Sequence, residues 1–293
     1  MTMTYGRTVT GSMPNVRLPY FDYLLSELAT RNPIVEKSFG RHVHWGYWAD
    51  PRTAICDDED FARAAEQLTL ELCQLAGIAE GNTVLDVGCG FGGTIASLNE
   101  RFSRLQLSGL NIDERQLARA RQQVRPLHDN TVVFHQGDAC DLPFANASFD
   151  RVLAVECIFH FPSRETFFRE AYRVLRPGGR LVLSDFVPSS LFWPICRVGS
   201  VRWFERVSSI GHWDVRYTIG KYRRLAAGAG LLPTMERNVT AHTLPTYGYL
   251  QKMLAQGLAR GWQAALFRRL LGVNRLLGAT GLMNYYLLSF SKP

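Results

Sequence analysis

Apolar side chains at Leu18, Phe21, Leu24, Leu25 and Leu28 return at the spacing of one helical face, so Leu18–Thr30 is predicted to be a helix with one buried side. A second helix is expected over Phe61–Ala76. Asp58, Glu59 and Asp60 put negative charge where its macrodipole is positive, and Gly77 suits its C-cap. From Gly81 onward the pattern changes to short apolar runs at 83–89, 105–112, 132–138, 149–157 and 180–186, separated by helical stretches. Continuous apolar strands alternating with helices imply a parallel sheet covered on both faces.

After Phe186 the regularity loosens. Trp193, Trp203 and Trp213 are spread through 187–216, which reads as an insertion over the strand ends, before a helix at Ile219–Ala229. A strand near Thr234–Thr240 and a last one at Tyr285–Ser291 would close the sheet, with helical residues 247–278 between them. Pro177, Gly178 and Gly179 are expected to form a helix-ending turn. The fold class is thus α/β: a doubly wound, mostly parallel, seven-stranded sheet with N-terminal helices and a helical cap. Its expected parts are 1–80, a helical segment and lid; 81–186, the core; and 187–293, cap insertions and closing strands.

Composition narrows the class. With 293 residues, 46% hydrophobic and 20% charged, the chain is an ordinary globular protein of one large or two small domains, which excludes disorder, collagen and a disulfide-stapled miniature. Arg or Pro interrupts every apolar run before about 18 residues, so no membrane span is expected. The first residues carry no apolar core segment, and the six Cys show no CxxC pair. The expectation is a cytoplasmic protein with reduced thiols and no bound metal.

In such sheets ligands lie beyond the carboxyl ends of the strands. The run VLDVGCGFGG (84–93) passes from a buried strand through glycines into a helix, whose N-terminus offers free N–H groups. Its Asp-x-Gly-x-Gly spacing departs from the dinucleotide fingerprint, and Asp86 inside the turn disfavours a pyrophosphate while suiting a cationic amino group. Three more blocks follow in order: GLNIDERQLARAR (109–121), GDACDLPFANASFDRVLAVECIFHF (137–161) and FFREAYRVLRPGGRLVLSDF (167–186). In these blocks the chain resembles the class I S-adenosylmethionine-dependent methyltransferases, in particular the group acting on small molecules and natural products.

The resemblance implies a Rossmann-like methyltransferase fold with S-adenosyl-L-methionine as cofactor and S-adenosyl-L-homocysteine as its product. It places Asp86, Gly88 and Gly90 at the methionine end. Asn111 and Ile112 would meet the ribose, with Gln116 just beyond, and Asp138 and Ala139 would hold the adenine. Many members carry an acid where Asn111 stands, and an amide can instead cap the turn. Glu156 and His160 would lie at the rim where cofactor and acceptor meet, Glu156 as a catalytic-site residue that binds a water or orients the acceptor, against a purely structural role. His160 is the expected general base, since imidazole titrates near working pH, against the alternative that it only caps a helix. Asp185 would touch the acceptor or orient the histidine. His135, within a strand, reads as structural. Upstream, Arg41–Trp48 concentrates two His and three aromatics. Similar stretches fold over the cofactor, which would let His44 and Tyr47 close the site with Trp45 packed nearby; the competing reading is a core plug that anchors the N-terminal helices.

Charge bears on the acceptor. Residues 187–293 hold 14 Lys and Arg against 3 Asp and Glu. A basic, aromatic cap suits a largely apolar small molecule that carries, or is tethered to, an anion, including one on a carrier protein; a solvated surface is the bland alternative. Leu250, Leu254, Leu258, Trp262 and Leu266 recur every four residues among Lys252, Arg260, Arg268 and Arg269. Such a stripe either packs on the domain or rests peripherally on an anionic membrane. No nucleic-acid recognition module is present. The expected activity is O-methylation of a small apolar acceptor. The alternatives are C-methylation of an isoprenoid or aromatic carbon, and a cofactor-binding protein without methyl transfer, pericyclase-like or scaffolding.

Overall fold

The computed structural model describes residues 18–199, 214–258 and 262–293. One seven-stranded sheet organises them, with strand order β3-β2-β1-β4-β5-β7-β6. The strands are β1 (Thr83–Val87), β2 (Gln106–Asn111), β3 (Thr131–Gln136), β4 (Phe149–Val155), β5 (Leu175–Pro188), β6 (Leu232–Asn238) and β7 (Met283–Ser291). β1 to β5 run parallel, while β7 lies antiparallel between β5 and β6. The order reverses at β1, whose neighbours are β2 and β4, so the crevice at the carboxyl end of β1 is the switch point.

Helices cover both faces. One core joins β4 and β5 to α6 (Arg164–Val174) and to the helix Ile219–Ala229 through Phe167, Phe168, Val174 and Tyr222. The other joins α3 (Asp58–Ala76), α4 (Gly93–Arg101) and α5 (Glu114–Gln123) to the opposite face through Leu68, Leu72, Ile95 and Leu117. Local chemistry sets these helices. Asp57 caps α3 by accepting from the Asp60 N–H, and Gly77 ends it in the left-handed region at φ 62°. Asp113 and Ser163 cap α5 and α6 in the same way.

The first expected helix is α1 (Pro19–Ala29). A further helix, α2 (Pro33–Phe39), was not foreseen; seven residues are too few for a periodic signal, although Asn32 caps it and Pro33 opens it. Together α1 and α2 pack Phe21, Leu24, Leu28 and Val35 against Phe91, just past the glycine turn. The expected helix-ending turn at Pro177–Gly179 is corrected. Residues 176–179 instead form an excursion inside β5, between the pairs Phe149–Leu175 and Arg151–Arg180, and Gly178 and Gly179 bond to the end of the chain at Lys292.

Beyond β5, α7 (Trp193–Gly199) begins the insertion, and the Asp214 N–H donates to the Phe159 carbonyl in the 3₁₀ turn that follows β4. Trp203, Trp213 and Arg260 lie outside the described residues. The expected helical region divides into Pro245–Met253, a π-turn at Leu254–Leu258 and Trp262–Ala279. The second helix folds back along the first, bringing Gly272 against Gln251 and Gly278 against Leu244, with Leu254 and Leu271 in one cluster. Leu254 is buried whereas Leu266 is exposed, and the four-residue repeat is not one continuous inner face. Among the described residues no helix is long and apolar enough to cross a membrane.

Candidate active site

A cleft of about 1000 Å³, counting its open mouth, lies at the carboxyl ends of β1, β2 and β4. Its wall includes Asp86, Gly88, Gly90, Asn111, Ile112, Gln116, Asp138 and Ala139, together with His44, Glu156 and His160. Of the residues singled out in the sequence, the structure brings these eleven together and leaves Tyr47 and Asp185 outside the lining.

Asp86 is the last residue but one of β1. Its carboxylate is buried with neither oxygen in a well-formed hydrogen bond among the described residues, and burial, opposed only in part by the Thr94 side chain, pushes its pKa up to about 8. An unmatched buried carboxylate costs several kcal/mol unless a cation meets it, so the geometry is that of a waiting acceptor. The backbone beside it is shaped for close approach. Gly88 sits at φ 76°, where a Cβ would come 2.6 Å from the Cβ of Cys157. Gly90, at φ 53°, has open space where a side chain would stand. An α-amino group and the tail behind it therefore fit this end of the cleft.

At the end of β2 the Asn111 side chain donates to Gln116 Oε1 at 3.0 Å and accepts from the Asp113 N–H at 3.0 Å. It therefore caps the turn and lines the cleft at once. Past β3, Asp138 Oδ1 accepts from the Cys140 N–H at 2.8 Å, which fixes the carboxylate at the cleft wall.

Residues 41–44 of the 41–48 segment line the cleft. The segment's anchor is Glu156, directly after β4, whose Oε1 accepts from the Trp45 N–H at 2.8 Å and from the Tyr285 hydroxyl. Glu156 adopts φ 47°, a left-handed conformation uncommon outside glycine, and burial pushes its pKa up to about 8. His44 is buried: Nδ1 faces the Trp45 carbonyl at 2.9 Å, and Nε2 faces the Thr69 hydroxyl at 3.0 Å and His42 Nδ1 at 3.1 Å. Burial, then the charge of His42, drives its pKa down to about 3, so it is neutral. His42 reaches Glu66 at 2.8 Å. Burial would raise the Glu66 pKa, but the His42 bond and the Arg41 charge outweigh it and hold it at about 2.

Tyr47 departs from its expected place over the cofactor. Its ring stacks on His242 at 4.7 Å, and its hydroxyl accepts from Arg237 at 2.7 Å, so it ties the segment to the C-terminal half. The plug reading describes Tyr47, whereas His44 faces the cleft. Asp185 departs as well. It is fully buried and paired with Arg164 and the Tyr222 hydroxyl, while Arg164 also donates to the Asp214 carbonyl. Burial pushes the Asp185 carboxyl up and the Arg164 charge opposes this. The expected pairing of Asp185 with His160 is replaced by a buried ion pair that ties α6 to β5 and the insertion.

His160 ends a short 3₁₀ turn after β4, and its Nε2 lies 3.2 Å from the hydroxyl of Tyr20, with the two rings stacked at 5.9 Å. Tyr20 was not foreseen, because nothing in the pattern of α1 distinguishes it from its apolar neighbours. Arg164 did leave a signal: a base in the first turn of a helix opposes the macrodipole and calls for a partner.

A family profile described as "Methyltransferase domain" matches residues 85–183. The chain is 32% identical over 270 residues to the 27-O-demethylrifamycin SV methyltransferase of Amycolatopsis mediterranei, covering 89% of this chain and 93% of that relative. In fold it is similar to the [4+2]-cyclase SpnF, with TM-score 0.69, 22% identity and coverage of 97% and 99% of the two chains. It is likewise similar to the geranyl diphosphate C-methyltransferase of Streptomyces coelicolor A3(2), with TM-score 0.70, 20% identity and coverage of 94% and 100%. The ordered strand-end blocks, the reversal at β1 and the similarity over nearly the whole length of a methyltransferase lead to one conclusion: this chain belongs to the class I S-adenosylmethionine-dependent methyltransferases of natural-product type.

Proposed function

We propose that the chain methylates an oxygen of a small, largely apolar acceptor, with S-adenosylmethionine held in the cleft. The observation that carries this reading is Asp86, a buried carboxylate with no cationic partner among the described residues, set among glycines at the switch point. It would receive the cofactor's ammonium, Asn111 and Gln116 would meet the ribose beside Ile112, and Asp138 with Ala139 would hold the adenine. When bound, the cofactor supplies an electrophilic methyl group on a cationic sulfur.

The protein's own work is alignment, desolvation and proton removal. His44 and the segment pinned by Glu156 exclude water. His160 is the proposed base: the Tyr20 hydroxyl marks where a hydroxyl sits against Nε2, and an acceptor taking that place would give its proton to the imidazole as the carbon–oxygen bond forms. On this reading the three parts expected from sequence would serve as lid, cofactor core and acceptor cap, working in a cytoplasm.

O-methylation is favoured by the rifamycin relative, whose name specifies an oxygen. C-methylation is the second reading, supported by the geranyl diphosphate enzyme; a cyclase activity without methyl transfer is the third, supported by SpnF. The test offers candidate acceptors together with trideuteromethyl-labelled S-adenosylmethionine and follows mass. A labelled product whose methyl sits on oxygen supports the proposal. A methyl on carbon selects the second reading, and an isomerised product of unchanged mass selects the third.

A further inference from the structure

A second pocket, of about 620 Å³ counting its open side, lies in the chain beyond β5, with Trp193, Arg216, Tyr217 and Lys221 in its wall. Trp193 Nε1 donates to the Arg216 carbonyl at 2.9 Å, which joins α7 to the residues that enter the helix Ile219–Ala229. The Lys221 ammonium stands 5.1 Å from the centre of the Trp193 ring and 5.2 Å from that of Tyr217, and it makes no hydrogen bond or ion pair among the described residues. The carboxylates nearby are taken. Asp214 accepts from Arg216 Nε at 2.8 Å and from a terminal guanidinium nitrogen at 2.9 Å, and Asp185 is paired with Arg164, whose guanidinium lies over the Tyr217 ring at 4.2 Å. Burial, then the charges of Arg216, Arg224 and Arg164, push the Lys221 pKa down, with Asp214 opposing them. Lys221 also stands in the first turn of its helix, which has no acidic residue there and no side-chain cap, so the macrodipole adds to the positive field.

We infer that this pocket is a subsite for an anionic group of the acceptor, a carboxylate or a phosphate. Lys221 meets the charge, and the Trp193 and Tyr217 rings take the apolar part next to it. A lysine on a helix surface ordinarily carries its ammonium out to water. This one is half-buried between two rings, with other cations around it and no acid among the described residues free to pair with it. An incoming anion relieves that imbalance, whereas a cation aggravates it and a neutral group leaves it as it is. The position suits the acceptor. The Asp214 N–H donates to the Phe159 carbonyl at 3.0 Å, one residue before His160, and Phe161 and Pro162 in the cleft wall lead to Arg164 over Tyr217. The pocket therefore adjoins the side of the cleft where His160 stands. That the anion belongs to the acceptor rests on the methylation proposed above; that the pocket takes an anion does not.

The test is calorimetry on the full chain saturated with S-adenosylhomocysteine, with 2-naphthoate and the uncharged 2-naphthamide as probes of one shape. The naphthoate should bind at least about ten-fold more tightly than the amide, as a hydrogen bond to a charged group allows. Lys221→Gln should remove that preference, and Lys221→Arg, which keeps the charge, should retain it. Circular dichroism and S-adenosylhomocysteine affinity check that each variant is folded. In the labelled-methyl assay, Lys221→Gln should raise KM for an acceptor carrying a carboxylate at least about ten-fold more than KM for the corresponding amide. Naphthoate that binds no better than naphthamide, or a preference that survives Lys221→Gln, overturns the inference. So does an acceptor methylated with the same ratio of acid to amide KM in wild type and Lys221→Gln. An anion preference lost in Lys221→Gln, in a protein that methylates no acceptor, leaves the anion site standing and removes the methylation reading instead.

Discussion

Replacing Asp86 with Asn tests the proposed ammonium site in two independent ways. With a pKa of about 8 in the empty fold, the carboxyl is almost fully protonated at pH 6.5, whereas an amino acid's α-amino group is fully charged there. Pairing with that ammonium requires the carboxylate, so binding S-adenosylhomocysteine should release about one proton from Asp86. Calorimetry at pH 6.5 in buffers of different ionisation enthalpy reads this number, and Asp86→Asn should lower it by about one while weakening affinity at least 100-fold. The second readout is stability. Between the ordinary carboxyl value of 3.8 and about 8, the unfolded chain has lost this proton while the folded chain keeps it, so wild-type stability falls as pH rises through that window. At pH 6.5 the penalty is about 3–4 kcal/mol, at about 1.4 kcal/mol per pH unit. Asn has no such dependence, although its unbonded amide costs about 1–3 kcal/mol. The melting temperature of Asp86→Asn relative to wild type should therefore climb from pH 4 to pH 8. Parallel melting curves, or proton release that survives the substitution, would refute the reasoning.

Three further outcomes follow from the same geometry. His160→Asn should lower turnover by about 10²–10⁴ while leaving S-adenosylhomocysteine affinity unchanged, measured by single-turnover kinetics and calorimetry; full activity would remove His160 as the base. Glu156→Gln keeps an oxygen that can accept from Trp45 and Tyr285 and should change cofactor dissociation little near neutral pH, whereas Glu156→Ala frees the 41–48 segment and should speed dissociation at least ten-fold in stopped flow. Arg164→Met strands Asp185 in the core and should cost about 3–5 kcal/mol in urea denaturation, with much of the loss recovered in the Arg164→Met, Asp185→Leu double variant.

The core sheet was legible because its strands are continuous apolar runs, a pattern produced when both faces are buried, and because the cofactor-end residues follow those strands directly in sequence. Asp86 could be singled out because a carboxylate in a glycine turn contradicts a phosphate site. Contacts made across the chain were not legible. Tyr20 meets His160 from 140 positions away, and Glu156 bonds to Trp45 across 111. Asp185 shows the limit: its place at the end of β5 was expected, but Arg164 and Tyr222, brought in by α6 and the helix Ile219–Ala229, determine what its carboxylate touches. Tyr47 was misplaced because alternate residues of an extended segment face opposite ways, and no periodicity in eight residues says which way His44 or Tyr47 turns. The stripe from Leu250 to Leu266 kept its spacing in sequence while the second helix folded back along the first and divided it between them.

The most direct measurement is a crystal structure of the chain grown with S-adenosylhomocysteine. The account predicts its amino group within hydrogen-bonding distance of Asp86, its ribose beside Asn111 and its adenine against Asp138 and Ala139, with the Tyr20–His160 pair facing the sulfur across the acceptor space. A ligand bound with its adenine at Asp86, or outside the cleft altogether, would contradict it.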